Sequence, residues 1–176
     1  MIRSALVGTV ALILSTVGVL AAEWIERENV KFRLLAETTA TDGSGEALIG
    51  LEVALAPGWQ FYHEAPGEFG VAPEFDWAAS ENLAAAALHW PEPSRFLYST
   101  DPLVTTLGYK DRLLLPVFLE TGSAGEDLRL RLDLKYAVCA EICLFDEVSL
   151  EMTLPAGAGK ATRHGARLRE ALAGAR

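Results

Sequence analysis

Apolar and polar residues alternate strictly along two segments in the C-terminal half of the chain. Apolar side chains occupy every even position from 128 to 136, and again from 148 to 154. Successive side chains of a strand point to opposite faces of a sheet, so both segments are predicted to be half-buried strands. The stretch between them holds Cys139 and Cys143, the only cysteines of the chain. The simplest connection through this stretch is a long hairpin.

The same alternation predicts further strands upstream, over residues 30–34, 47–55 and 113–119. Pro116 cannot donate a ladder hydrogen bond, so we expect its strand at a sheet edge or a bulge. The alanine-rich run 83–90 suits a helix or a strand, and we favour a strand because the run is short and flanked by turn residues. About six short strands without a convincing internal helix predict an all-β sandwich.

Two parts of the chain lack a clear period. Residues 94–106 carry Phe96 and Tyr98 and read as an irregular loop, which either packs on itself or covers a reactive group. After residue 155 the chain becomes a linker and then a basic, alanine-rich tail. Leu168 and Leu172 could share one side of a short helix there, but we expect a solvated, frayed terminus.

The N-terminus has the layout of a secretory signal. Met1-Ile2-Arg3 precedes an apolar run, and Val19-Leu20-Ala21 provides small residues at a cleavage site. We therefore predict a signal peptide over residues 1–22, a folded domain over 23–155 and a tail over 156–176. The alternative is an uncleaved membrane anchor. Either way the folded part lies outside the cytoplasm, where disulfides persist.

Composition narrows the classes of function. The chain has 176 residues, of which 51% are hydrophobic and 22% charged, which is typical of one globular domain with a core. The formal net charge of −9 disfavours nucleic acid and anionic membrane surfaces as partners. Hydrolytic catalysis has no support, because no Ser/His/Asp or paired-carboxylate arrangement stands out.

The spacing of Cys139 and Cys143 favours a reactive cysteine pair over a purely structural disulfide. A helical turn would bring the two residues to roughly 6 Å between Cα atoms, within disulfide range. Closing so small a ring removes little conformational entropy from the unfolded chain, so the disulfide would stabilise the fold only slightly. Redox exchange or metal binding therefore explains the cysteine pair better. A soft Cu(I) site could draw on the three histidines or on Met152, but no histidine lies near the pair in sequence. We therefore expect neither a metal nor another cofactor.

Several stretches, taken in order, resemble a known family. The stretches that carry the resemblance are Pro57-Gly58-Trp59, Tyr62, Pro66-Gly67, Gly70, Phe75-Asp76-Trp77, Trp90-Pro91-Glu92-Pro93, Gly108-Tyr109-Lys110-Asp111, Leu115-Pro116-Val117 and 136–143. This ordered set, spread over residues 30–154, resembles the N-terminal periplasmic domain of the DsbD and ScsB thiol–disulfide reductases. It is closer to the ScsB form, which is associated with copper tolerance.

The resemblance implies an immunoglobulin-like β-sandwich with a redox-active cysteine loop, located in the periplasm. Such a domain takes electrons from a thioredoxin-like domain, itself fed by a membrane thiol reductase, and passes them to periplasmic disulfide isomerases. The chain is accordingly expected to act as a thiol:disulfide oxidoreductase, with a periplasmic copper-binding protein as the alternative. Two departures stand out. Three residues separate the cysteines, fewer than in DsbD, and the chain ends without a membrane or thioredoxin-like domain, so it would act in trans.

The resemblance also implies roles for residues. Cys143 forms the mixed disulfide and Cys139 resolves it. Glu141, between them, either disfavours the thiolate or is an exposed loop residue without a role. The region 94–98 corresponds to a loop that caps the cysteines. The expected cap and site-wall residues are Phe96, Tyr98, Trp59, Phe61 and Tyr62, with sandwich core as the alternative for Trp59.

Overall fold

The computed structural model describes residues 22–41, 43–97 and 104–175, which form two antiparallel sheets and one helix. The predicted signal peptide lies almost wholly outside these ranges, and none of the described helical segments is long and apolar enough to cross a membrane. The elements are β1 (Ile25–Arg27), β2 (Val30–Ala36), β3 (Glu46–Leu55), β4 (Gln60–Tyr62), β5 (Glu74–Asp76), β6 (Leu83–Leu88), β7 (Ser94–Leu97), β8 (Thr105–Lys110), β9 (Arg112–Thr121), β10 (Leu128–Cys139), β11 (Cys143–Leu154) and α1 (Gly165–Gly174).

The strands form two layers. The first sheet has the order β1-β2-β3-β9-β6, and the second has the order β11-β10-β4-β8-β7, with β5 also paired to β10. The inner faces carry the alternating apolar residues, such as Phe32, Leu51, Leu115 and Leu132, all fully buried in one core cluster. The predicted all-β sandwich is thus confirmed, as is the strand over the alanine-rich run.

Strands β10 and β11 form the long hairpin that the alternation predicts. Their register runs without interruption from Leu128 opposite Leu154 to Cys139 opposite Cys143. The even residues of β10 and those of β11 from Val148 to Leu154 face the core, and the odd residues of β10 face outward. Cys139 therefore belongs to the outer face of the second sheet, at the end of its longest ladder.

The expectation that Pro116 marks an edge strand is wrong. Strand β9 lies between β3 and β6, and Pro116 is paired with Gly50 of β3. Its carbonyl accepts a hydrogen bond from the His89 backbone at 2.9 Å, on the β6 side. The N–H and C=O of one strand residue point the same way, so the missing N–H faces the place where β6 has already ended at Leu88. An inner strand tolerates proline there because the missing N–H lies at the end of the β6 ladder, where only one hydrogen bond is absent.

The segment that carries Phe96 is also more regular than expected. Residues 94–97 form edge strand β7, which pairs with β8 through Phe96 opposite Thr106. The irregular period in the sequence reflects a four-residue strand whose side chains are mostly exposed. A strand this short gives too few alternating positions to be recognised.

The prediction of a frayed tail is wrong as well. Helix α1 packs on the outer face of the first sheet, where Leu168 is fully buried against Leu35 and Leu48. The preceding linker is tied to the end of β2, since the Thr162 hydroxyl donates to the Ala36 carbonyl at 2.6 Å. Strand β3 is consequently buried on both faces, by the core on one side and by α1 on the other.

A buried carboxylate joins the helix to the sheet. Glu52 points from the outer face of β3 and is fully buried. It accepts hydrogen bonds from Arg33 at 2.7 Å and Arg112 at 3.0 Å, and it also pairs with Arg167 of α1. Burial opposes ionisation of Glu52, but the hydrogen bonds and charges of Arg167 and Arg33 outweigh it and lower the pKa of the carboxyl.

Candidate functional site

The end of the β10–β11 hairpin brings the two cysteines together. Cys139 and Cys143 are directly opposite each other, with Cα atoms 4.1 Å apart, and form a disulfide with an S–S distance of 2.10 Å. Only residues 140–142 connect the strands, and the Ala140 N–H donates to the Ile142 carbonyl at 2.9 Å. The end of the hairpin, and not a helical turn, therefore brings the two cysteines within bonding distance.

The two sulfur-bearing residues differ in their access to solvent. Cys139 is 1% exposed, whereas Cys143 is partly exposed at the start of β11. Between them in the chain, Ile142 is 64% exposed. A second molecule would therefore reach Cys143 before Cys139.

The outer face of the second sheet supplies the neighbours of the disulfide. Tyr62 and Ala137 pack with Cys139 in a small buried cluster, which Cys143 joins. The Tyr62 hydroxyl lies 4.0 Å from the Cys143 Sγ atom, at the limit of a hydrogen bond to sulfur. The structure therefore places Tyr62 beside the pair.

An open cleft of about 650 Å³ reaches the disulfide at Cys139. It is lined by Gly58, Gln60, Phe96, Leu97, Lys110, Cys139, Ala140 and Glu141. Phe96 is half-buried in this wall, and the Lys110 ammonium lies 4.6 Å from the centroid of its ring. Such a contact contributes about 0.5–1 kcal/mol at an exposed position. The ring is therefore held in the wall of the cleft that Cys139 also lines, by an interaction that is weak enough to break.

The other predicted wall residues occupy different places. Phe61 points to the opposite face of β4, where its ring lies 6.3 Å from that of Phe32 in the core. Trp59 is partly buried and packs against the same core cluster. Glu141 is exposed on the hairpin loop and lines the cleft. Tyr98 lies outside the described residues.

The histidines that were weighed as copper ligands lie elsewhere. His63 accepts a hydrogen bond from the Ala65 backbone and packs against the Trp90 ring, and His164 is buried at the start of α1. Burial, together with nearby arginines such as Arg163, lowers the pKa of His164. Among the described residues, no group of three or more His, Cys, Asp or Glu side chains could hold a metal ion.

Sequence reasoning did not single out Gln60 and Lys110 as members of the site. Gln60 is the register partner of Cys139, and Lys110 is the partner of Gln60. No local signal in the sequence identifies them, because the register between strands that are distant in the chain sets their position.

Comparison with known proteins fits this geometry. Residues 30–155 match the family described as thiol:disulfide interchange protein DsbD, N-terminal. The chain belongs to this family. Its structure is similar to the N-terminal periplasmic domain of ScsB from Proteus mirabilis, with a TM-score of 0.73 and 27% identity. That match covers 90% of this chain and 60% of the ScsB chain, so this chain spans less than two thirds of its relative.

A second solved structure is more distant. The reduced N-terminal domain of DsbD from Neisseria meningitidis is 18% identical, with a TM-score of 0.40 over 77% of this chain and 92% of that one. No curated protein matches the chain in sequence. The resemblance to the DsbD and ScsB family, and the greater likeness to the ScsB form, are thus confirmed. The chain is an immunoglobulin-like β-sandwich of the thiol:disulfide interchange family with a cysteine pair at one hairpin end.

Proposed function

We propose that the chain is a periplasmic thiol–disulfide exchange protein that relays two electrons through Cys139 and Cys143. The observation that carries this proposal is a disulfide of unequal access at the end of a hairpin, with Cys143 partly exposed and Cys139 buried. Exchange needs one sulfur that a partner can reach and a second within bonding distance. Membership of the thiol:disulfide interchange family supports the same reading.

The proposed cycle has two halves. A thiolate of a reduced, thioredoxin-like donor attacks the Cys143 sulfur, forms a mixed disulfide and releases Cys139 as a thiolate. The second thiolate of the donor then attacks the mixed disulfide, which leaves the donor oxidised and both cysteines of this chain reduced. In the second half the Cys143 thiolate attacks the disulfide of an acceptor protein. Cys139 resolves that intermediate and re-forms the Cys139–Cys143 bond.

Membership of the family supports the partners and the compartment that we propose. The donor would be a thioredoxin-like domain or a membrane thiol reductase, and the acceptors would be disulfide isomerase-like proteins of the periplasm. The similar ScsB domain is a periplasmic one, and an oxidising compartment suits a disulfide that must be re-formed.

The proposal is tested by trapping a mixed disulfide. Cys139→Ser removes the resolving thiol, so Cys143 should accumulate in a covalent complex with an oxidised thioredoxin-like protein, visible on a non-reducing gel. Cys143→Ser is the matched control and should trap little, because Cys139 is buried. Equal trapping by the two variants would contradict the assigned roles, and trapping by neither would contradict the function.

A variant without histidines separates exchange from copper handling. Replacing His63, His89 and His164 together should leave trapping by Cys143 unchanged. Tight, stoichiometric binding of Cu(I) that is lost in this variant would instead support a copper-binding protein.

A further inference from the structure

Lys110 lies in the same cross-strand row as the disulfide. The register pairs Cys143 with Cys139 and Cys139 with Gln60. Gln60 is in turn paired with Lys110 of β8. Residues directly opposite each other present their side chains on the same face of a sheet, so this row shares the outer face. Two strand spacings, roughly 10 Å, separate the backbones of Cys139 and Lys110. The four-carbon stem of lysine can bridge much of that distance.

The charges around Cys139 are few. Of the described residues that line the cleft, only Lys110 and Glu141 are charged, Lys110 from β8 and Glu141 from the hairpin loop. Strands β4 and β7 contribute the uncharged side chains of Gln60, Phe96 and Leu97. On the Cys143 side, the titratable group in contact is the Tyr62 hydroxyl, which belongs to β4. A negative charge that forms on Cys139 therefore has one cation within its cleft.

We propose that Lys110 is the charge partner of the Cys139 thiolate that is released when a partner attacks Cys143. This inference rests on the proposed exchange function. The attack forms the bond between the partner and Cys143 and breaks the bond between Cys143 and Cys139. The electron pair of the broken bond stays on the Cys139 sulfur as a thiolate. A leaving thiol with a lower pKa leaves faster, so an ammonium group beside Cys139 accelerates this step.

The position of Lys110 couples this charge to the proposed cap. In the disulfide form the ammonium lies over the Phe96 ring, 4.6 Å from its centroid. A partner that displaces Phe96 to reach the cysteines also removes this contact. The ammonium then becomes available in the cleft at the step in which the Cys139 thiolate forms.

The test measures the pKa of Cys139 directly. In the full chain carrying Cys143→Ser, Cys139 is the single thiol, and its ionisation is followed by the ultraviolet absorbance of the thiolate against pH. Adding Lys110→Met should raise this pKa by about one unit, which lowers the thiolate fraction roughly tenfold below the pKa. Lys110→Gln should give the same shift, and Lys110→Arg should restore the parent value. Glu141→Gln should shift the pKa in the opposite direction.

A matched control comes from the first sheet. The Lys31 ammonium also lies over an aromatic ring, 5.2 Å from the centroid of Trp24, but on β2. Lys31→Met removes the same charge and the same kind of contact and should leave the pKa of Cys139 unchanged. A titration of Lys110→Met that superimposes on the parent, or a shift of equal size in Lys31→Met, would overturn the proposal.

A kinetic measurement on the intact disulfide completes the test. Lys110→Met should slow reduction of the Cys139–Cys143 bond by dithiothreitol several-fold, whereas Lys31→Met should not. An unchanged rate in Lys110→Met would contradict the proposal. Neither measurement needs a protein partner, so a failure of Cys143 to trap one would count against the exchange function and not against the role of Lys110.

Discussion

At the scale of single residues, the environment of each sulfur decides what it can do. Cys143 is partly exposed and contacts the Tyr62 hydroxyl, while Cys139 is buried beneath a wall that includes Phe96. A permanently open pair would exchange with any thiol in the compartment. We propose that the Phe96 ring, in the wall of the cleft that Cys139 lines, restricts exchange to partners that displace it.

Phe96→Ala should therefore expose the thiols. We expect the reduced variant to react several-fold faster with a small alkylating agent than the parent does, with only a modest loss of stability because Phe96 is half-buried on an edge strand. The measurement is the rate of thiol alkylation, with the urea midpoint as the check on folding. The contrasting variant is Trp59→Ala, which should cost up to about 3 kcal/mol because Trp59 packs on the core. Unfolding of Phe96→Ala without a faster reaction would show that Phe96 is a core residue.

At the scale of elements, α1 acts as a cover for the first sheet. The outer face of that sheet carries Leu35, Leu48 and Leu114, which would otherwise be exposed to water. Gly50 leaves space on the same face, where an added Cβ atom would lie 2.4 Å from the Leu168 side chain. The arginines around Glu52 come from β2, β9 and α1, so this carboxylate of β3 joins the helix to three strands.

The docking of α1 should depend on pH through Glu52. Its pKa lies below the ordinary value of 4.5, so its contribution to stability is fully present above that pH and is lost as the pH falls through the lower, folded-state value. Glu52→Gln should lower stability at neutral pH by about 3 kcal/mol, since it removes the buried negative charge that pairs with three arginines. It should also flatten the acid limb of a plot of unfolding free energy against pH.

The control for Glu52 is an exposed ion pair. Glu81 pairs with Arg129 at 2.7 Å, and both side chains are more than half exposed. Glu81→Gln should change the unfolding free energy by less than about 1 kcal/mol at any pH. An equal effect of the two substitutions would mean that Glu52 does not hold α1 in place.

At the scale of the whole molecule, the disulfide and the core are separate. The core lies between the two sheets, whereas the cysteines occupy the far end of one hairpin on an outer face. The covalent ring includes only the residues from Cys139 to Cys143. Closing so short a loop stabilises a chain by about 2 kcal/mol, which is small beside the burial of two complete sheet faces.

Reduction should therefore leave the domain folded. We expect dithiothreitol to lower the melting temperature by roughly 4–8 °C and to leave the far-ultraviolet circular dichroism spectrum unchanged. Removal of the reductant should restore the original melting temperature. Collapse of the spectrum on reduction would show that the bridge is structural, and a redox carrier could not use it.

The sequence by itself determined the features that depend on neighbouring residues. Alternation over 128–136 and 148–154 predicts the hairpin, and the hairpin places Cys139 opposite Cys143. The adjacent leucines at 34–35 and the three leucines at 113–115 break the alternation, because α1 covers part of the second face of β2 and β9. These runs were the available sign that something covers the first sheet, although they do not say what.

Only the tertiary structure decided which distant residues meet. The pairing of β4, β7, β8 and β10 places Phe96, Gln60 and Lys110 on the same face of the sheet as Cys139. A slip of one residue in the register of any of these strands would move its side chains to the opposite face. For the same reason Phe61 faces the core while Tyr62, its neighbour, faces the disulfide. The docking of α1 likewise depends on Glu52 and Arg167, 115 residues apart in the chain. Such contacts arise from long-range pairing, which no local period encodes.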